Sequence, residues 1–284
     1  MSLRAGFVLL GLLAVVQTPS AQWLNHPTPG IQRLPNGKPD LTAKAPRTAD
    51  GRPDLSGVWH TYAEPLEEKK KLFGPAFGEV FVPGMEPTTI SKYAIDLLLD
   101  FKPGEIAMTP AAEAVFKLHN SGDPKQDFGA HCLPFGTPLA TLLSEVHKIV
   151  QTPGLILVMY ELDSMTRQIY TDGRKLPAEP NPSWLGNSVG RWDRDTLVVE
   201  TNGLNDRAWL DLAGHPRSEA MRITERYRRR DVGHLDVEIT LDDPKMYNKP
   251  FTVKLTHLLQ ADTDILEYVC NENEKDRAHM PEKK

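Results

Sequence analysis

The sequence predicts a mainly β protein: an antiparallel meander closed into a barrel, with a helical insertion and a proline-rich N-terminal arm. Three observations carry this. From His147 onward apolar and polar residues alternate at a period of two, as half-buried strands require. Short turn sequences join the candidate strands, so neighbours in sequence pair as hairpins. A long hairpin series leaves two exposed edges, and closure into a barrel removes them. A β-sandwich is the alternative packing of the same strands.

Residues 1–21 of the 284 read as a secretory signal peptide. Arg4 precedes twelve uncharged, mostly apolar residues (5–16), and a polar stretch ends at Thr18-Pro19-Ser20-Ala21. Twelve residues make about 18 Å of helix, short of a bilayer core of about 30 Å. No other segment is apolar enough to span, so a secreted or periplasmic chain with no integral membrane segment is expected. Loss of Arg4 makes the chain more acidic than its formal charge of −5, which argues against nucleic acid as a partner.

Residues 22–56 form the arm, with six prolines at 27, 29, 35, 39, 46 and 53. Within it Asn36-Gly37-Lys38-Pro39-Asp40-Leu41-Thr42 is echoed by Asp50-Gly51-Arg52-Pro53-Asp54-Leu55-Ser56, fourteen residues on. Two copies do not make a solenoid; they predict two similar turns that clamp the arm to the domain. One barrel domain, 57–284, follows. Its first strand lies around Gly57-Val58-Trp59. A helical insertion at about 85–122 holds one helix over 91–101 and a second with Thr109 as N-cap and Pro110 at the first helical position, ending near Asn120 and Gly122.

The remaining strands are expected at 147–151, 155–161, 167–171, 187–192, 196–201, 220–230, 234–241, 251–258 and 265–271. Alternation sorts their side chains. Met221, Ile223 and Tyr227 share the inner face with Glu225 and Arg229, while Arg222, Arg226, Arg228 and Arg230 point out, opposite Asp236 and Glu238 of the next strand. His257 shares a face with Phe251, Val253 and Leu255, and Glu267 with Ile265 and Val269. A buried carboxylate must be paired or protonated, so Arg167, on the face of Ile169, and Arg229 are the candidate partners. Such a cluster is either an internal ion network or the polar lining of a ligand cavity.

Two further constellations stand out. The loop 205–219 holds Asp206, Trp209, Asp211 and His215; a carboxylate beside an imidazole suits general-base work, and Ser218 would complete a Ser/His/Asp set by composition. The opposite reading is a salt-bridged loop plugged by Trp209. The third set is Tyr170, Asp172, Gly173 and Arg174 with Trp184, Gly186, Ser188, Gly190, Arg191 and Trp192. Its aromatics suit either a pocket for a sugar or planar apolar ligand, or core packing.

The two cysteines, Cys132 and Cys270, read as a disulfide in an exported chain, with two free thiols as the alternative. The nine histidines form no His-x-His and no His-Glu-x-x-His, and phosphate-loop and dinucleotide fingerprints are missing, so neither metal nor cofactor is expected.

The segments Gly190-Arg191-Trp192, Asp195-Thr196-Leu197-Val198-Val199-Glu200-Thr201 and Asn205-Asp206, with Trp209-Leu210-Asp211 and Gly214-His215-Pro216, resemble a widespread family of exported bacterial proteins of unsettled function. The likeness continues through Thr224-Glu225-Arg226, Asp242-Asp243-Pro244 and Glu267-Tyr268-Val269-Cys270-Asn271-Glu272-Asn273, and the opening Pro53-Asp54-Leu55-Ser56-Gly57-Val58-Trp59 also matches. The resemblance implies a secreted, calycin-like (lipocalin-like) β protein and no particular reaction.

The expectation is thus a barrel holding a small, partly apolar ligand in a polar-lined cavity. Arg167, Trp192, Asp206, Trp209, Tyr227, Arg229 and Glu267 are the candidate ligand contacts. The alternative is a cofactor-independent lyase, isomerase or hydrolase in which Asp211, His215, Glu225 and His257 move protons. A structural envelope protein is the third option.

Overall fold

Nine strands close into one barrel in the computed structural model, which describes residues 26–78, 90–126, 129–143 and 145–270. The expected signal peptide lies outside these residues. The strands are β1 (Gly57–Thr61), β2 (His147–Thr152), β3 (Leu155–Tyr160), β4 (Thr166–Tyr170), β5 (Asn187–Asp193), β6 (Thr196–Asn202), β7 (Arg222–Arg229), β8 (His234–Asp242) and β9 (Phe251–Leu259). Neighbours in sequence are neighbours in space, and β1 closes the ring between β2 (Trp59 opposite His147) and β9 (Trp59 opposite Leu259). Closure excludes the sandwich. It also leaves no edge after β9, so 265–270, the described part of the expected last strand, pairs with no strand. That segment is irregular, Glu267 is exposed, and the expected inner-face role of Glu267 fails with it.

The meander departs from the antiparallel pattern once. Sixteen residues, 171–186, connect β4 to β5, and three prolines in them (177, 180, 182) rule out a tight hairpin. The chain returns to the end where β4 began, and β5 runs parallel to β4, joined only at Ile169–Ser188 and Tyr170–Val189. Thr166–Gln168 therefore have no strand partner on that side, and the wall has a seam.

The alternation read from the sequence holds on β7 and β8. Met221, Ile223, Glu225, Tyr227 and Arg229 are buried, as are Leu235, Val237, Ile239 and Leu241. Register places Arg226 opposite Glu238 and Arg228 opposite Asp236. The ion pairs themselves are offset: Glu238 takes Lys254 (2.9 Å) and Arg226 reaches Asp193 (3.3 Å).

Each end of the barrel is covered. At one end the arm lies on the β7–β8 turn, where Val232 and Gly233 donate to the carbonyls of Ala43 and Leu41. The approach is so close that a Cβ on Gly233 would lie 2.6 Å from that of Leu41. The fourteen-residue echo is structural. Arg33 donates to Gly37 O (3.0 Å) and Arg47 to Gly51 O (2.7 Å). Each arginine then forks onto a carboxylate, Asp262 beyond β9 and Asp195 in the β5–β6 turn.

The other end carries the insertion, which is longer than expected. It includes α1 (Leu66–Phe73), α2 (Lys92–Ile95), α3 (Pro110–His119) and α4 (Leu139–Leu142). The cap on α3 is as read: the Thr109 side chain accepts from Ala112 N, and Pro110 follows. The helix expected over 91–101 stops after one turn, because Leu97 N donates to Asp211 Oδ2 (2.7 Å) and Leu98 N to Asp96 Oδ1 (2.9 Å), not to helical carbonyls. Cys132 and Cys270 form the disulfide, tying the insertion to the tail across 138 positions. The chain-entropy argument assigns such a loop about 4–5 kcal/mol. Among the described residues no helix is long and apolar enough to cross a membrane.

Candidate ligand site

Inside the barrel β4, β5, β6 and β7 converge on one ion pair. Arg167 and Glu225, 58 positions apart, face each other with side chains 1% and 0% exposed. Glu225 lies between Val199 and Ile239, where a lone carboxylate would be forced to neutralise. Instead Arg167 Nη1 donates to Oε1 at 3.0 Å and Nη2 to Oε2, a bidentate fork. Arg167 Nη2 also donates to Thr201 Oγ1 (2.8 Å), Nε donates to Ser188 Oγ (3.1 Å), and the Tyr227 hydroxyl donates to Glu225 Oε1 (2.7 Å). All three guanidinium nitrogens are engaged. Burial works against the charge on Arg167, but the attraction and hydrogen bonds of Glu225 outweigh it and raise its pKa. Burial and the same carboxylate push Tyr227 well above the ordinary phenol range, so it remains a donor.

Arg229 is not the second partner. It sits 4.9 Å over the Trp59 ring and donates to the carbonyls of Asp54 (2.6 Å), Ser56 (3.1 Å) and Val232 (2.7 Å), anchoring the arm. Its carbonyl partners come from the chain turning back at the arm end, away from Glu225.

His257 is buried, as expected from its face, but it is not part of the ion network. It meets His147, which is not among the expected site residues, edge to face at 4.7 Å. Neither ring nitrogen of His257, nor Nδ1 of His147, has a hydrogen-bond partner. Burial holds His147 down to about 4 and His257 well below its ordinary value, so both rings stay neutral near neutrality.

Asp211 and His215 do form a pair, with Nδ1 2.6 Å from Oδ2. The arrangement works as a clasp. Asp211 is fully buried and also accepts from His215 N (3.1 Å) and Leu97 N (2.7 Å), fixing the 205–219 loop against α2. Phe116 stacks on the His215 ring at 5.0 Å. Burial pulls His215 down, yet the Asp211 hydrogen bond and charge raise it overall. Ser218 does not join the pair; its hydroxyl donates to Asp243 (2.7 Å). Trp209 stacks on His119 at 4.8 Å, on the insertion, and Asp206 is exposed. Among the described residues Asp96, Asp211 and His215 are the one group whose donor atoms cluster closely enough (within 4.8 Å) to hold a metal ion. A cation there would have to displace the hydrogen bonds that hold the loop.

The seam opens into a groove of about 610 Å³ between β4 and the 183–189 segment. Its lining brings together Tyr170, Arg174, Trp184, Gly186 and Ser188 of the third constellation, and Arg167 reaches it from within. Trp192 belongs elsewhere. It borders a groove of about 420 Å³ at the arm end, beside Arg52 and Ile156. The sequence reading missed Gln168, Lys175 and Asn187 as lining residues, since nothing local marks a polar residue beside an unpaired strand edge.

No family model, curated protein or solved structure matches the chain.

Two outcomes follow from the buried groups. Glu225→Gln leaves the Arg167 charge without its counter-charge. Urea unfolding should show a loss of about 3–5 kcal/mol, and the joint Arg167→Met/Glu225→Leu change should recover most of it. A single-mutant loss well under about 1 kcal/mol contradicts the pairing. The second outcome concerns pH. His147 and His257 are depressed in the folded chain and ordinary, near about 6.5, when unfolded. The unfolded state then binds more protons, so their contribution is full above about pH 6.5 and is lost as pH falls toward about 4. His215 has the opposite sign, its contribution being lost as pH rises through its raised pKa. Melting temperatures should drop between about pH 6.5 and 5, and His257→Phe should flatten that drop; an unchanged slope in the variant contradicts the assignment.

Proposed function

We propose that this chain is an exported β-barrel protein that binds a small, partly apolar ligand in the groove at the β4–β5 seam. The observation that carries the reading is the groove itself. It offers about 610 Å³, walls from Trp184, Leu185, Val189 and Pro177, and polar groups from Gln168, Asn187 and Ser183. Apolar surface with polar groups converging on it is the usual make-up of a small-molecule site. The Arg167–Glu225 network behind it is internally satisfied, which suits a rigid floor better than a reacting centre. Export is supported by the signal-like pattern at 1–21, by the disulfide, and by the resemblance to exported, calycin-like bacterial proteins. The acid–base enzyme reading is weaker, because the Asp211 oxygens are already occupied by loop hydrogen bonds.

Titration with naphthamide, a neutral planar probe, tests the reading through tryptophan emission. Saturable quenching is expected in the wild-type protein. It should be lost in Trp184→Ala and kept in Trp192→Phe. Quenching that survives Trp184→Ala, or none at all, contradicts the seam as the site.

A further inference from the structure

We infer that the seam groove selects organic anions: small molecules with a flat apolar body and one carboxylate or sulfonate group. The inference rests on the ligand reading of that groove and adds the charge of its ligand.

The first ground is the lining. Arg167, Arg174 and Lys175 contribute to it, and no Asp or Glu does, on a chain whose formal charge is −5. Arg167 is neutralised by Glu225 and Arg174 is paired with Asp172, so Lys175 supplies the unpaired positive charge and Arg174 an oriented donor edge. Lys175 is exposed and has no carboxylate partner among the described residues.

The second ground is how Arg174 is held. Asp172 grips one edge of its guanidinium, accepting from Nε (3.0 Å) and Nη2 (2.7 Å). Tyr170 lies under its face at 3.6 Å, and the Tyr170 hydroxyl is itself fixed to Gln168 Oε1 at 2.6 Å. The chain Gln168–Tyr170–Arg174–Asp172 thus sets the plane of the guanidinium before any ligand arrives. Nη1 takes no part in the Asp172 fork, so one donor edge remains for an anion. A donor oriented in advance loses little entropy on binding.

The third ground is the opposite wall. Trp184 lines the groove and carries the Arg207 guanidinium 5.0 Å from its ring, so positive charge flanks the apolar wall as well. A flat body against Trp184 and Leu185 can then present its anionic group to Arg174 and Lys175.

The test compares naphthoate with naphthamide, which share shape and differ in charge, by tryptophan quenching and calorimetry on the full mature chain. Naphthoate is expected to bind about tenfold tighter or more, since charge-assisted hydrogen bonds exceed neutral ones. Its affinity should fall with added salt while that of naphthamide holds. Lys175→Glu, at an exposed position, should erase the preference, lowering naphthoate affinity far more than that of naphthamide. Equal affinities overturn the inference while the ligand groove stands; a preference that survives both Lys175→Glu and Arg174→Gln overturns it too. Binding of neither probe overturns the inference together with the groove reading.

Discussion

Burying one ion pair across the barrel is the constraint on which the rest depends. Arg167 and Glu225 come from β4 and β7, and the hydroxyls of Ser188 and Thr201, on the strands between, complete the guanidinium's hydrogen bonds. An unpaired charge at either position would carry a desolvation cost of several kcal/mol, so any arrangement of strands that separates the two is disfavoured. The pair therefore acts as a register pin. It holds β4 against the barrel wall at the place where the β4–β5 ladder offers only two residue pairs.

That weak ladder also opens the groove that we propose as the ligand site. A parallel strand entering after a proline-bearing crossover leaves Thr166–Gln168 unpaired on one side, and the crossover supplies Arg174, Lys175 and Trp184 over the gap. Elsewhere the barrel is closed, with the arm on one end and the insertion on the other. Polar clusters at those ends are absorbed in holding the covers: Asp211 and His215 clasp the 205–219 loop to α2, and Arg229 grips the arm. His147 and His257 stand apart as neutral rings with unpartnered nitrogens inside the barrel, a local weakness that acid exposes.

Much of this was legible in the sequence because period-two alternation is a local signal. It sorted β7 and β8 by face residue by residue, and it marked Arg167 and Glu225 as charges on apolar faces. The arm's echo was legible for the same reason, since Asn-Gly and Asp-Gly with a following Pro dictate a turn whatever lies around them. What failed depends on distant partners. The helix over 91–101 breaks because Asp211, more than a hundred positions away, takes the amide of Leu97. The segment 265–270 alternates like a strand yet finds no edge, because β1 has already closed the ring. The parallel sense of β5 and the pairing of His147 with His257 are set by closure too, and no local pattern announces them.

Hydrogen–deuterium exchange with saturating naphthoate tests the central claim, that the seam rather than the ends of the barrel receives the ligand. The account predicts slowed exchange at 166–170 and 183–189, with 205–219 and the arm unchanged. Protection centred on 205–219, or none at the seam, would contradict it.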